Sequence, residues 1–276
     1  MNIGRYIQLY SEDLRLKNYA ESSIENYCSQ VSLFLIEHDK VATKPSEISE
    51  RQIKEWLLKA NTISSRKHRL SALKLFYKYT IKQPMKFRYI EYPRGEKKLP
   101  QPLDISEIRG MLSACKNKKH RAIIMLMIST GLRISEVINL RLTDIDSKRM
   151  VINIIRAKGL KDRIVPLNDK LLAELREYYK SYNPKEYLFN GQGSLQYSSR
   201  SVNEFLKHYA NLAGIKRNIH AHLMRHSCFT NMVESGVDTA IIQKMAGHQN
   251  IKTTQLYCHI SSTIINKVYN PISALV

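Results

Sequence analysis

The sequence predicts a mostly α-helical chain with one small β-sheet, split into a helical N-terminal domain and a C-terminal α+β domain. Three observations predict it. Apolar residues recur at helical spacing up to about residue 90, with no strand-like alternation. The segment EYPRGEKKLPQPL, residues 91–103, holds three prolines and a glycine and resists helix and core formation. Two β-rich runs, Val151 to Ile155 and Arg163 to Leu167, flank a Lys-Gly-Leu-Lys-Asp turn and predict a hairpin. The expected division is a domain over 1–90, a linker over 91–103 and a second domain over 104–276.

Taken in order, Ile7, Tyr10 and Leu14 make the first helical stripe. Ser22 and Glu25 form a candidate capping box ahead of Ile24, Tyr27, Val31, Phe34 and Leu35. Ser49 and Gln52 form another, ahead of Ile53, Trp56 and Leu57. A fourth helix starts near Ser64 or Ser65 and turns Leu70, Leu73, Phe76 and Tyr77 inward. Its other face carries Arg66, Lys67, Arg69, Lys74 and Lys78, either a solvated surface or a phosphate contact. Asp104 and Glu107 restart helical structure beyond the linker. An apolar helix from His120 to Ser129 stops at Thr130-Gly131, and Ile134, Val137, Ile138 and Leu140 mark the next. Beyond the hairpin, Leu171 to Tyr179 and Val202 to Leu212 are helical, the latter closed by Gly214.

Hydrophobic residues make up 43% of the chain and charged residues 25%, the balance of a soluble globular protein. The longest apolar run, Ala122 to Ile128, is seven residues, too short to span a bilayer. The opening MNIGRYIQLYSEDL carries acids where a signal peptide needs an apolar core, so a cytosolic protein is expected. Lys plus Arg number 44 against 24 Asp plus Glu, a net charge of +20, which favours a polyanionic partner. Cys28, Cys115, Cys228 and Cys258 form no C-x-x-C pair, so neither a zinc site nor a disulfide framework is expected.

Chemistry concentrates between His220 and His259. His222 and Arg225, three apart, share one helical face, and an imidazole beside a permanent planar cation suits a phosphate. Gly247-His248 follows, with Tyr257 nine residues after His248 as a candidate nucleophile. Alone, H-x-x-R describes a solvated helix-surface pair equally well.

Four pieces stand together: TGLRISEV with Arg133, RAKGLKDRIVPL with Lys158, HLMRHS with His222 and Arg225, and AGHQNIKTTQLY with His248 and Tyr257. In this order and spacing they resemble the tyrosine recombinases, or phage integrase family, most closely the short Xer-type members. The N-terminal helices resemble the family's core-binding, DNA-binding domain, and residues 104–276 its catalytic domain with a C-terminal tail.

The resemblance implies a site-specific recombinase that cuts and rejoins double-stranded DNA through a 3′-phosphotyrosyl intermediate. Strands would be exchanged between paired sites, via a Holliday junction, inside a homotetramer. Arg133 and Arg225 would grip the scissile phosphate as charge builds on phosphorus. Lys158, rather than the neighbouring Lys161, would protonate the leaving 5′ oxygen. His222 would donate to the phosphate or assist proton transfer, and His248 would bond a phosphate oxygen. Tyr257 would attack, and Glu136 would orient Arg133. DNA contacts are expected from Arg66, Lys67, Arg69, Lys161 and Arg163. His220, His226 and His259 are expected to be structural.

No metal or other cofactor is expected, because side chains meet the phosphate charge and the bond energy is held in the phosphotyrosine. The expected setting is cytoplasmic and nucleoid-associated, with a second recombinase as a possible partner. Ala246, Met224 and Ser227-Cys228-Phe229 depart from the usual family residues as packing swaps. No arm-binding domain precedes the first helix, so a simple-site enzyme is expected. Ile264, Ile265 and Val268, then Ile272, Leu275 and Val276, leave an apolar tail expected to dock on a neighbouring subunit. The alternatives are a type IB topoisomerase, separated by a strand-exchange assay, a DNA-binding protein without catalysis, which the six filled catalytic positions oppose, and an RNA-binding module, for which no RNP-like strand or KH-type loop is visible.

Overall fold

The computed structural model describes residues 1–95, 101–155, 162–193, 195–247 and 254. The chain forms two units, Met1–Lys98 and Leu99–Val276.

The first unit packs four helices: α1 (Ile3–Leu16), α2 (Glu21–His38), α3 (Glu50–Leu58) and α4 (Ile63–Tyr79). Tyr10, Leu14, Ile24, Val31, Phe34, Leu35, Ile53, Trp56, Leu70, Leu73, Phe76 and Tyr77 make its core, while Ile7 and Tyr27 pack at the edge. Buried phenols need partners, and both core tyrosines find backbone ones. Tyr10 donates to the Ala72 carbonyl at 2.9 Å and Tyr77 to that of Pro45 at 2.6 Å.

The Ser49 capping box forms, with Gln52 accepting from the Ser49 amide at 2.8 Å. The one expected at Ser22 does not. Helix α2 begins at Glu21 behind Ala20, which caps with no side chain. Glu21 instead accepts a two-pronged contact from Arg15, at 3.1 and 3.2 Å, and lends its charge to the positive helix end. Helix α4 starts slightly earlier than expected, at Ile63, because Thr62 caps it by accepting from the Ser65 amide at 3.0 Å.

Arg69, expected to face DNA, is spent inside the unit. Its guanidinium lies 4.5 Å from the Trp56 ring centroid and donates to the Trp56 carbonyl at 3.1 Å, bracing α4 against α3. Lys67 and Lys78 are exposed, and Arg66 and Lys74 are half-buried.

The second unit contains α5 (Ile105–Ala114), α6 (Lys118–Thr130), α7 (Ile134–Asn139), α8 (Asp169–Tyr182), α9 (Ser199–Leu212), α10 (Ala221–Glu234) and α11 (Thr239–Ala246). Between α7 and α8 lie β1 (Ile145–Asp146), β2 (Val151–Ile154) and β3 (Arg163–Pro166). They form an antiparallel sheet in the order β1-β2-β3, with Ile152 opposite Val165 and Ile154 opposite Arg163. The hairpin strands fall where expected. Two-residue β1 was not expected, being too short to show alternation.

Helix α6 runs through the core, burying Ala122, Ile123, Ile124, Leu126 and Met127 completely, and packs on α8 and α10. Asp104 caps α5 with Glu107 as expected. Leu103, assigned to the linker, is instead buried, and its amide donates to the Ser227 hydroxyl at 2.8 Å. Arg217 holds the Gln101 and Pro102 carbonyls at 3.2 and 2.9 Å, so residues 101–103 belong to this unit. No helix among the described residues is long and apolar enough to cross a membrane.

His120, at the start of α6, stacks on Phe205 with centroids 4.2 Å apart and meets the hydroxyls of Tyr209 and Tyr197 at 3.1 and 3.0 Å. Burial, then the charge of Lys119, pushes its pKa from 6.5 down to about 4. The folded state therefore prefers the neutral ring. The stability this contributes is present above pH 6.5 and is lost as pH falls through about 4. Urea titrations across that window should show a falling midpoint, flattened in His120→Gln. Parallel curves for the two proteins would contradict this.

Candidate active site

Arg225 is the best-anchored group of the site. It lies on α10, a helix buried on nearly every side from Leu223 to Thr230, and is only 2% exposed. A buried guanidinium needs compensation, and two helix ends supply it. Nη1 donates to the Gly131 carbonyl at 2.5 Å, past the end of α6, and Nη2 to the Ala246 carbonyl at 2.7 Å, in the last turn of α11. The Phe229 ring lies beneath, its centroid 4.9 Å from the guanidinium carbon.

That arrangement needs glycine at 131. Helix α6 ends there in the left-handed region, φ 63°. A Cβ on Gly131 would stand 2.4 Å from Cζ of Phe229. Gly131→Ala should therefore destabilise the protein by about 2–4 kcal/mol, combining the left-handed penalty with overpacking. Urea unfolding measures this, and wild-type stability in the variant would mean the ring does not crowd this turn.

Arg133 follows two residues later and starts α7. Its Nη1 donates to Glu136 Oε1 at 3.0 Å and its amide to Oε2 at 2.8 Å. Glu136 is 7% exposed and Arg133 36% exposed, so the carboxylate lies inside and the guanidinium reaches outward. Burial alone would raise the Glu136 pKa. Hydrogen bonds from Arg163 and the Arg133 amide, with both guanidinium charges, outweigh it and hold the carboxyl below the usual range.

His222 stands exposed one helical turn before Arg225. Partial desolvation, then the charges of Arg225, His220 and Arg133, lower its pKa, so the ring is neutral at pH 7. His220 caps α10, its Nδ1 accepting from the Leu223 amide at 3.3 Å, and His226 is buried. Helix α11 ends at Gly247 in the left-handed region, φ 62°, immediately before His248 in sequence.

Arg163, expected to contact DNA, is 8% exposed and pairs with Glu136 through both terminal nitrogens, at 2.9 and 2.8 Å. Of the predicted site residues, the structure thus joins Arg133 and Arg163 through Glu136 and brings His222 within the electrostatic influence of Arg225 and Arg133. Lys158, Lys161, His248, His259, Tyr257 and the apolar tail lie outside the described residues. Sequence reasoning missed the carbonyls of Gly131 and Ala246 and the ring of Phe229. The only available signal was the glycine closing each helix. Met224, Cys228 and Phe229 are buried, as packing positions should be, and Ser227 also donates to the Leu223 carbonyl at 2.8 Å.

Residues 101–263 match the phage integrase family, and residues 7–86 match the phage integrase N-terminal SAM-like domain. A tyrosine recombinase of Pseudothermotoga lettingae is 31% identical over 273 residues, spanning 93% of this chain and 94% of that protein. Tyrosine recombinase XerD of Staphylococcus epidermidis is 34% identical over 206 residues, 70% of this chain and 68% of that one. The fold is similar to that of the XerH site-specific recombinase bound to palindromic difH substrate, with a TM-score of 0.73 at 22% identity over 95% of this chain and 83% of that one.

The chain therefore belongs to the phage integrase family. It is a tyrosine recombinase, an enzyme that cleaves and rejoins DNA in site-specific recombination. The resemblance drawn from its four motifs is borne out, and the topoisomerase reading is not favoured.

Proposed function

We propose that Tyr257 is the nucleophile and that Arg133, Lys158, His222, Arg225 and His248 complete the catalytic set. The Tyr257 oxygen bonds to phosphorus, the bond to the 5′ oxygen breaks, and Lys158 gives that oxygen a proton. Arg133 and Arg225 hold the non-bridging oxygens, where charge accumulates. His222, neutral at pH 7, takes the phenol proton, and His248 bonds a phosphate oxygen. Glu136 orients Arg133.

One observation carries this reading. Arg225 is buried yet moored on two helix ends, and its charge and that of Arg133 both act on His222. That is a fixed cationic seat for a phosphate, set beside a proton acceptor. The substrate is double-stranded DNA bearing paired sites, gripped in part by the first unit as a core-binding domain through Arg66 and Lys67, with Lys161 contributing. Arg69 and Arg163, committed to internal contacts, have no place in that grip. The working assembly is a homotetramer on DNA in the cytoplasm, with room for a second recombinase as partner.

The test is to trap the protein on a nicked substrate from which the cleaved fragment diffuses away, then digest and sequence the DNA-linked peptide. The expected peptide contains Tyr257 joined to a 3′ phosphate. A 5′ linkage, or attachment at another residue, would overturn the assignment.

A further inference from the structure

Arg163 has the charge of a DNA contact and the surroundings of a structural bolt. Nε donates to the Met245 carbonyl at 2.7 Å, in the last turn of α11, while Nη1 and Nη2 fork onto Glu136. The same carboxylate receives Nη1 and the amide of Arg133. One buried carboxylate and two guanidinium groups thus join α7 to β3 and α11.

Two further features mark this tie. Arg163 pairs with Ile154 as the first residue of β3, at the end of the ladder, and Lys158 falls between these two residues in sequence. Gly247, which closes α11, lies against it. A Cβ there would meet Arg163 Cδ at 3.2 Å and Nε at 3.3 Å, with φ at +62°. The side chain runs so near this helix end that a methyl group is crowded, and His248 is the next residue in sequence.

We propose that Arg163 is a positioning residue for strand cleavage. It fastens the Arg133–Glu136 pair and the base of the hairpin to the end of α11, so that Arg133, Lys158 and His248 are held in one mutual register. The inference rests on the catalytic roles proposed above for those three residues. Its physical basis is that a reacting constellation tolerates little slack, and a displacement near 1 Å costs roughly a hundredfold in rate.

Arg163→Lys keeps a cation against Glu136, but one ammonium cannot fork onto a carboxylate and also reach Met245. Single-turnover cleavage should fall about 100-fold while single-site DNA affinity stays within about threefold and the cooperative thermal transition remains. Gly247→Ala attacks the same contact from the other side and removes no charged group. It should reproduce the selective loss, and it decides the matter if Arg163→Lys fails to fold. In an Arg133→Ala background, Arg163→Lys should add much less than its own effect, because both act through one carboxylate.

A merely structural role would lower affinity along with cleavage and would give additive effects with Arg133→Ala. Either result overturns the proposal, as does cleavage within about threefold of wild type in both variants. Wild-type cleavage by Arg133→Ala would overturn the catalytic reading itself. An inactive Arg133→Ala with active Arg163→Lys and Gly247→Ala would overturn only the positioning role.

Discussion

Tyr257→Phe should abolish the covalent protein–DNA adduct and leave site affinity within about twofold of wild type, the range of a substitution that removes a single hydroxyl. The change deletes one oxygen, the atom that bonds to phosphorus in the proposed mechanism. An ordinary phenol titrates near pH 10, so attack at neutral pH depends on a nearby acceptor and on cations that favour the phenolate. In the proposed mechanism neutral His222 is the first, and Arg133 and Arg225 are the second. None of these groups is altered by the substitution, so the seat for the phosphate should persist. The measurement is denaturing electrophoresis of end-labelled DNA, with and without protease, beside a gel-shift titration. A protease-sensitive adduct surviving in the variant would remove Tyr257 from the nucleophile's place. Loss of affinity equal to the loss of cleavage would assign its hydroxyl to ground-state binding.

What could be read in advance depended on how local each signal was. The Ser49 and Asp104 capping boxes span four residues each, and both formed. Gly131 and Gly247 end helices because the left-handed cap favours a residue without Cβ, which is a property of the position itself. The Ser22 box did not form because α2 begins one residue earlier, at Glu21 behind Ala20, which leaves Ser22 inside the first turn. The family was legible because four spaced sequence clusters had to coincide. The arginine assignments were not. Arg69 and Arg163 look like surface cations in sequence, and each is held in part by a backbone carbonyl, a group that every residue possesses. Met245, which receives Arg163, lies 82 residues away, so nothing near Arg163 announces the contact. Gly131 and Ala246 are equally silent as acceptors for Arg225, at separations of 94 and 21 residues.

The two arginines proposed to grip the phosphate should be equal in chemistry and unequal in stability. Removing either takes a cation from the developing charge on phosphorus, and loss of one such donor typically costs about 10²–10³ in rate. Cleavage by Arg133→Ala and by Arg225→Ala should fall at least that far, with much smaller changes in affinity. Their structural settings differ. Arg133 is 36% exposed, and Glu136 keeps the Arg163 fork when Arg133 is gone. Its loss should leave the unfolding midpoint nearly unchanged. Arg225 is 2% exposed and satisfies carbonyls at the ends of two helices. Truncation leaves both acceptors facing a cavity, each costing about 1–3 kcal/mol. Arg225→Ala should therefore lose roughly 2–5 kcal/mol of stability on top of its lost cleavage, once the helix ends relax. Arg225→Lys should recover part of that stability by returning a cation to the helix ends, yet little of the cleavage, because one ammonium cannot hold two carbonyls and a phosphate together. Urea unfolding paired with single-turnover cleavage on a nicked substrate resolves the two quantities. Equal stability losses in the two alanine variants would show that Arg225 does not carry the helix ends. Full cleavage by Arg225→Lys would reduce its role to that of a point charge.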